Sequence, residues 1–387
     1  GQLTAVGVTF LLVVALNRTL RQRGWFDDKQ EPNLLQWLDL VALGTVCDVV
    51  PLTGLNRVLV AQGLKIAAHR DNPGLAALSD LAGVDQRLGA YHLGFVFGPR
   101  LNAGGRVGNS DLGAKLLATD DMDEAQAIAA KLNDYNLERR EIEAAIQTQA
   151  IELAEAKGAV QLPLVFLADP RWHQGVIGIV ASRLKDRFHR PTIVVAMDGE
   201  EGKGSGRSIP GVDLGAAITA AKQAGLLLAG GGHGMAAGLT VAPDKLAELE
   251  EFLSERIAKT MTGQPQGKYL GLDGALTVSG ASRDLFDTLE SAGPYGAGHP
   301  EPRFAIANAD VVKADLVGHN HVRMVLAGAR GGRLKGIAFG VADSPLGQAM
   351  LSSQGRSLHL AGHLRADDWQ GRRGVQLFIE DAALPEN

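Results

Sequence analysis

From Asp120 to Lys157 the chain runs without a proline or a glycine, and this stretch most restricts what it can become. Asp120, Asp121, Asp123 and Glu124 favour the positive end of a helix dipole. Ala125, Ile128, Ala129 and Leu132 then recur at helical spacing, as do Leu137, Ile142, Ala145 and Ile146, until Gly158 stops the run. A helix of about 36 residues would extend roughly 54 Å, too far for one small core. Folded material is therefore expected at both ends, with the helix as a bridge that keeps one face in water and serves mostly as a strut. A length of 387 residues suffices for two or three domains with separate cores.

Beyond the helix, Leu164–Leu167 and Thr192–Ala196 are short, β-branched apolar runs separated by a helical pattern from Ile177 to Phe188. That alternation predicts an α/β sheet. Trp172-His173-Gln174-Gly175 opens the helix, where free N–H groups can face an anion. His173 either joins such a site or caps and packs. Gly202 to Leu239 then holds two glycine-rich stretches, expected as turns, with a helix and its exit between them from Val212 to Leu228. Glycines such as Gly206, Gly232 and Gly234 allow close backbone approach and an anion-binding concavity. Arg207 can add a planar fork for phosphate oxygens, Ser205 and Ser208 hydroxyl donors, and His233 a switchable donor. The result is a phosphate pocket without Walker A spacing; the alternative is tight loops between packed elements.

The segment before the long helix reads as helices. Gly1 to about Arg23 is amphipathic or buried, too short for a confident membrane span and better packed in a core; Asn33 to Leu43 is a second helix. Gly44 to Pro51 is expected as a buried segment with a sharp turn. Its Asp48 either caps that turn or, as a buried carboxylate, needs hydrogen bonds, a cation or a metal. Arg57, at the head of the next helix, holds that carboxylate or lies on the surface. In the expected loop Gly98 to Arg106, Arg100, Asn102 and Arg106 suit a clamp on a phosphate backbone, unless the arginines pair with nearby carboxylates.

Thr262 to Gly267 reads as a linker. After it, six short runs between glycine-rich turns predict a small antiparallel barrel. From Arg323 to Arg373 eight basic residues face three acidic ones, a locally basic surface in a chain of net charge −5. Trp369 can stack on a base there, or be incidental to a solvated loop. The negative total excludes a basic coat but not a basic groove. One cysteine, Cys47, rules out an internal disulfide framework and points to a reducing cytoplasm.

Several stretches carry a resemblance. Gly230-Gly231-Gly232-His233-Gly234-Met235-Ala236-Ala237-Gly238 resembles the signature of the DHHA1 domain in the DHH phosphoesterase superfamily. Ala42 to Leu52, Gly98 to Arg106, Trp172 to Leu184 and Gly293 to Pro302 resemble, in order, the RecJ family of single-strand-specific exonucleases within it. The resemblance implies an α/β chain: the C-terminal part of a DHH catalytic domain (1–118), a connecting helix (119–158), a DHHA1 domain (159–262) and an OB-fold barrel (268–387). It makes Asp48 a metal-binding, catalytic aspartate for two Mn²⁺ or Mg²⁺ ions and Ser205, Gly206, Arg207 and His233 the grip on the phosphate near the 5′ end of single-stranded DNA, with Arg100 and Arg106 on neighbouring phosphates, the barrel tracking the strand, and Asn102, Gly232, Gly234 and Trp369 also binding the substrate. No Asp-His-His occurs and Gly1 is not an initiator methionine, so a fragment without the front of the catalytic domain is expected. Gly104 departs from the family's usual alanine and should loosen its turn. The implied activity is 5′→3′ exonucleolysis in DNA repair and recombination by a cytoplasmic monomer, with single-strand-binding protein as partner. The rivals are a cyclic-dinucleotide or oligoribonucleotide phosphodiesterase and a non-catalytic DNA scaffold.

Overall fold

The structure, a computed structural model, describes residues 3–85, 87–261, 269–329, 331–368 and 373–385. The linker Thr262–Gly267 and Trp369 lie outside the described residues, as do Arg330 and Arg372. Contacts gather the chain into two units: Gly1–His69, Leu88–Gly94 and Lys268–Asn387, and then Arg70–Arg87 with Phe95–Gly267.

The first unit begins with helices α1 (Ala5–Gln22), α2 (Leu38–Cys47) and α3 (Gly54–Ala67). Thr4 caps α1 by accepting from the Gly7 amide. Of the two forms expected, α1 is the amphipathic one and not the buried one. Leu3, Val6 and Phe10 pack against Leu38, Val41 and Leu59, while Val8, Leu12 and Leu16 stay exposed. No helix among the described residues is long and apolar enough to cross a membrane. α2 runs on through Cys47, so the expected segment begins as a last helical turn, Gly44–Cys47, and only Thr45 of it is fully buried. Nothing in Gly44–Val49 breaks a helix; Pro51 does. α2 and α3 touch at Gly63, where a Cβ would lie 2.1 Å from the Leu38 carbonyl oxygen. Burial, and then the charge of Asp48, pushes the Cys47 thiol up to about 11, which makes it a packing residue and not a nucleophile.

The second unit opens with α4 (Pro73–Leu81), α5 (Gly98–Leu101), α6 (Gly104–Val107), α7 (Leu112–Ala118) and α8 (Met122–Ala156). The expected loop around Arg100 and Arg106 is thus two helical turns. Gly104 does not loosen them: a Cβ there would sit 2.3 Å from the Asn109 carbonyl oxygen, so glycine permits a tight contact. Asp121 caps α8 by accepting from the Asp123 and Glu124 amides. The buried residues of α8 are Ala125, Ala129, Leu132, Asn136, Arg139, Glu143, Ile146, Ala150 and Ala154, one unbroken stripe. Its first half packs on α4 to α7. Its second half packs on β1 (Val165–Asp169) and α9 (Ile177–Phe188), so the helix is a buttress along its whole length.

β1 and β2 (Thr192–Asp198) are parallel, as the strand–helix–strand pattern predicts. Antiparallel β3 (Glu201–Arg207) follows, then α10 (Leu214–Gln223), β4 (Ala229–His233), β5 (Ala236–Val241) and α11 (Leu246–Met261), giving the sheet order β1-β2-β3-β5-β4. The glycine-rich stretches are therefore strands and not turns. α10 and α11 cover one side of the sheet through Leu214, Ile218, Leu249 and Leu253. On the other side α9 packs over β2 and β3, and the outer strands β5 and β4 are left open.

The rest of the first unit is β6 (Gly274–Leu276), α12 (Arg283–Ala292), β7 (Phe304–Val317), β8 (His321–Ala327), β9 (Arg333–Ala338), α13 (Pro345–Leu351), β10 (Ser357–Asp367) and β11 (Gly374–Ala383). The strand order is β10-β11-β9-β8-β7-β6, and β10 also pairs with β7, which closes the barrel. The barrel is not wholly antiparallel: β11 runs parallel to β9 and β6 parallel to β7. Ile306, Met324, Leu326 and Leu377 fill its interior.

Candidate functional site

Strand register builds the site. Lys203, Thr240 and Ala229 form one lateral row across β3, β5 and β4, Ser205, Gly238 and Gly231 a second, and Arg207, Ala236 and His233 a third. Side chains alternate along a strand, so all three rows share the face that α9 covers only in part. Gly202, Gly204 and Gly206 point the other way, where a Cβ would lie 2.6–2.7 Å from Met197, Leu239 and Leu214 side-chain atoms. Gly232 does likewise, 2.4 Å from the Ala236 carbonyl oxygen. Gly206 and Gly232, expected at the substrate, thus serve packing. Gly234 accepts the Leu214 amide at 3.0 Å and fixes the start of α10.

A groove of about 490 Å³ lies on the open face, lined among others by Arg106, Gln174, Gly178, Lys203, Ser205 and Arg207. Arg207 donates from Nη1 to Ser205 Oγ at 3.1 Å and to its neighbour's carbonyl at 2.9 Å. Arg106 Nη1 donates to the Gly175 carbonyl at 3.0 Å. Among the described residues, neither arginine pairs with a carboxylate. Burial, and then the charge of Arg106, lowers the Arg207 pKa from its ordinary value. Two uncompensated guanidinium groups, a hydroxyl and the opening turn of α9 make a site for an anion. α9 reaches this close because residue 178 is glycine: a Cβ there would stand 2.9 Å from Ser205 Oγ.

Other expected residues fall elsewhere. Arg100 turns inward, donating to the Val96 carbonyl at 2.7 Å and to Asn133 Oδ1 at 3.2 Å, and so braces α5 on α8. Asn102 is exposed between α5 and α6. His233 shares the sheet face with Arg207; its Nδ1 accepts the Met235 amide at 3.3 Å, which leaves Nε2 as the donor. His173 Nδ1 accepts the Gly175 amide at 3.1 Å and shapes the loop that holds Arg106. Gln174 and Lys203 were not anticipated. Neither was Arg139, buried on α8, where it donates to Glu143 at 2.5 Å and to Asn136 at 3.0 Å. Burial lowers the Arg139 pKa, and Glu143 opposes this, while the charges of Arg106 and Arg140 add to the lowering. Alternating glycine in Gly-Lys-Gly-Ser-Gly-Arg is the signal that could have revealed β3 and Lys203.

In the first unit, Asp48 is the exposed C-cap of α2, not a buried carboxylate. The segment Gly293–Pro302 fixes the chain just after it. The Leu52 amide donates to the Ala297 carbonyl at 2.6 Å, and Gly298, with φ +67°, would bring a Cβ to 2.6 Å from Pro51. Arg57 does not hold Asp48; it donates to the carbonyls of Ala292 and Gly293. Among the described residues no three His, Cys, Asp or Glu side chains gather in a way that could hold a metal ion. One carboxylate by itself does not hold Mn²⁺ or Mg²⁺, and Asp48 would need further ligands beside it.

Four of the six described basic residues of the barrel segment from Arg323 to Arg373 are paired with carboxylates. Arg323 pairs with Asp315, Lys335 with Asp367, Arg365 with Glu301 and Arg373 with Asp287. Three of those carboxylates lie outside the segment whose charges suggested the patch. Its outer face instead offers aromatics. Phe339 is 51% exposed and stands edge-on to both His321 and Phe378, each at 5.1 Å between ring centres.

Residues 159–259 match the DHHA1 domain and residues 272–381 the RecJ OB domain. The chain is 41% identical to the single-stranded-DNA-specific exonuclease RecJ of Dickeya dadantii (strain 3937), over 98% of this chain and 67% of that protein. It is 40% identical to the protein of the same name from Escherichia coli (strain K12), with the same coverage. The crystal structure of RecJ in complex with Mn²⁺ from Thermus thermophilus superposes with a TM-score of 0.82 at 30% identity, over 98% of this chain and 53% of that one. RecJ from the same organism is also solved with Mg²⁺, with a TM-score of 0.80 and 56% of that chain covered. The chain thus spans about two thirds of the enterobacterial relatives and just over half of the Thermus chain.

Proposed function

The chain belongs to the RecJ family, and from that membership we propose that it forms the strand-holding part of a 5′→3′ single-stranded-DNA exonuclease. The observation that carries this is the groove on the open sheet face, where Arg106 and Arg207 meet without a carboxylate. A 5′-terminal phosphate supplies the missing negative charge and offers three free oxygens to Arg207, Arg106 and Ser205. Arg100 braces the helical turns that carry Arg106, Asn102 lies exposed beside them, and His233 donates from the third row. Asp48 would supply one carboxylate to a divalent-metal centre that needs further ligands, and such a centre, when bound, would supply the hydroxide and charge stabilisation for phosphodiester hydrolysis. This reading includes a cytoplasmic monomer, with single-strand-binding protein as partner. The relatives' names favour it over a cyclic-dinucleotide phosphodiesterase.

The test is direct. With divalent metal chelated to prevent cleavage, the chain should bind a 5′-phosphorylated single strand more tightly than a blunt duplex of the same sequence, measured by fluorescence anisotropy. Equal affinities would overturn the reading. The barrel should contribute by stacking more than by charge, because four of its six described cations from Arg323 to Arg373 are paired. Phe339→Ala should therefore weaken single-strand binding by about 1 kcal/mol, roughly fivefold. Lys335→Ala should leave the salt dependence nearly unchanged, since one lost phosphate contact would lower the slope by about 0.7. A drop of that size on Lys335→Ala, with no effect of Phe339→Ala, would return the barrel to an electrostatic role.

A further inference from the structure

Most glycines of β3, β4 and β5 have a packing reason, since a Cβ at 202, 204, 206 or 232 would come within 2.4–2.7 Å of another atom. Gly231 and Gly238 do not. A Cβ at either would meet nothing within 4 Å, and neither has the left-handed backbone that favours glycine. Glycine weakens a strand interior, so two directly paired, solvent-exposed glycines on outer strands call for another explanation. They are register partners of each other, and Gly238 is also the partner of Ser205. From Ser205 to the sheet edge, about 10 Å across two strand spacings, the middle row is therefore bare peptide. On either side of it, β5 presents Ala236 and Thr240 and β4 presents Ala229 and His233.

We infer that this bare row is the seat of the terminal nucleoside, whose base lies flat on the peptide planes of Gly231 and Gly238. The inference rests on the proposed phosphate grip at Ser205 and Arg207 and extends it. The phosphate is held at one end of the row and the attached sugar and base pass along it toward the sheet edge. No side chain rises from the row to read a base edge, so every base is accepted. A duplex end is not, because a base that lies on the sheet cannot also stack on the next base and pair.

The probe is a set of short single strands with a 5′-phosphate, whose terminal nucleotide is either thymidine or an abasic analogue, bound to the 387-residue chain under chelation. The parent should bind the thymidine end roughly fivefold better than the abasic end. Gly238→Val and Gly231→Val should erase that difference, retain the melting temperature and keep the preference for a 5′-phosphate over a 5′-hydroxyl. Gly238→Ala should reduce the difference part-way, which keeps the test decisive if valine disturbs the strand. A difference that persists in every variant, or is absent from the parent, overturns the floor. Loss of the 5′-phosphate preference in the parent itself would instead remove the phosphate grip, whatever the glycines do.

Discussion

Arg207→Lys is expected to cut the preference of the chain for a 5′-phosphorylated over a 5′-hydroxyl single strand roughly ten- to hundred-fold, because each charge-assisted hydrogen bond carries about 1.5–3 kcal/mol. Lysine keeps the charge and loses the fork. Arg207 already holds one donor against Ser205 Oγ and the Gly206 carbonyl, so its planar group is set before any ligand arrives. A flexible ammonium group in the same half-buried place has neither that support nor a second donor aligned with it. His233→Ala should cost less, under tenfold, because His233 sits two strands away in its row and offers one donor. Anisotropy with the paired strands gives both numbers. If Arg207→Lys discriminates between the two ends as well as the parent does, the groove does not read the phosphate.

Glu143→Ala should destabilise the protein by about 3–5 kcal/mol, the usual cost of leaving one member of a buried ion pair alone. Arg139 and Glu143 are each 9% exposed, one helical turn apart on α8. Arg139 also feels the charges of Arg106 and Arg140, so without Glu143 it is a buried cation among cations. Replacing both, as Arg139→Met with Glu143→Leu, should recover most of the loss, since no uncompensated charge then stays buried. Urea unfolding of the two variants decides the matter. A single substitution no more harmful than the double one would show that water reaches the pair.

Elements with a strong local signal are legible in the order of residues itself. α9 and the parallel pair β1 and β2 follow from periodicity, and α8 from an unbroken run with an acidic cap. The failures have a common cause. In β3, β4 and β5 glycine occupies strand interiors for the sake of close packing at 202, 204, 206 and 232, and local propensity reads such runs as turns. The site is partly legible for the same reason. Ser205, Arg207 and Arg106 stand out by their chemistry, but that Ser205 and Arg207 share one sheet face with Lys203, and Gly206 does not, depends on register. Gln174 comes into the groove by tertiary packing alone. The count of basic residues in the barrel overstates its charge because Asp315, Glu301 and Asp287, which pair with Arg323, Arg365 and Arg373, are remote in sequence.

The stripe on α8 steps by four, three, four, three, four, three, four and four residues from Ala125 to Ala154, so its mean period is about 3.6, that of the helix itself. The helix therefore shows the same angular sector to α4–α7 at one end and to α9 and β1 at the other. It acts as a shaft whose two fittings are cut in phase. One residue inserted near Arg140 would leave both fittings intact yet turn the second by about 100° relative to the first. Ile146, Ala150 and Ala154 would then face water, while the caps and the helix propensity stayed as they were. Seven inserted residues would restore the alignment to within about 20° and lengthen the shaft by roughly 10 Å. Such a chain could keep each half folded and still lose the contact between Arg106 and Gly175, because only the phase and length of α8 bring those two residues to the same place.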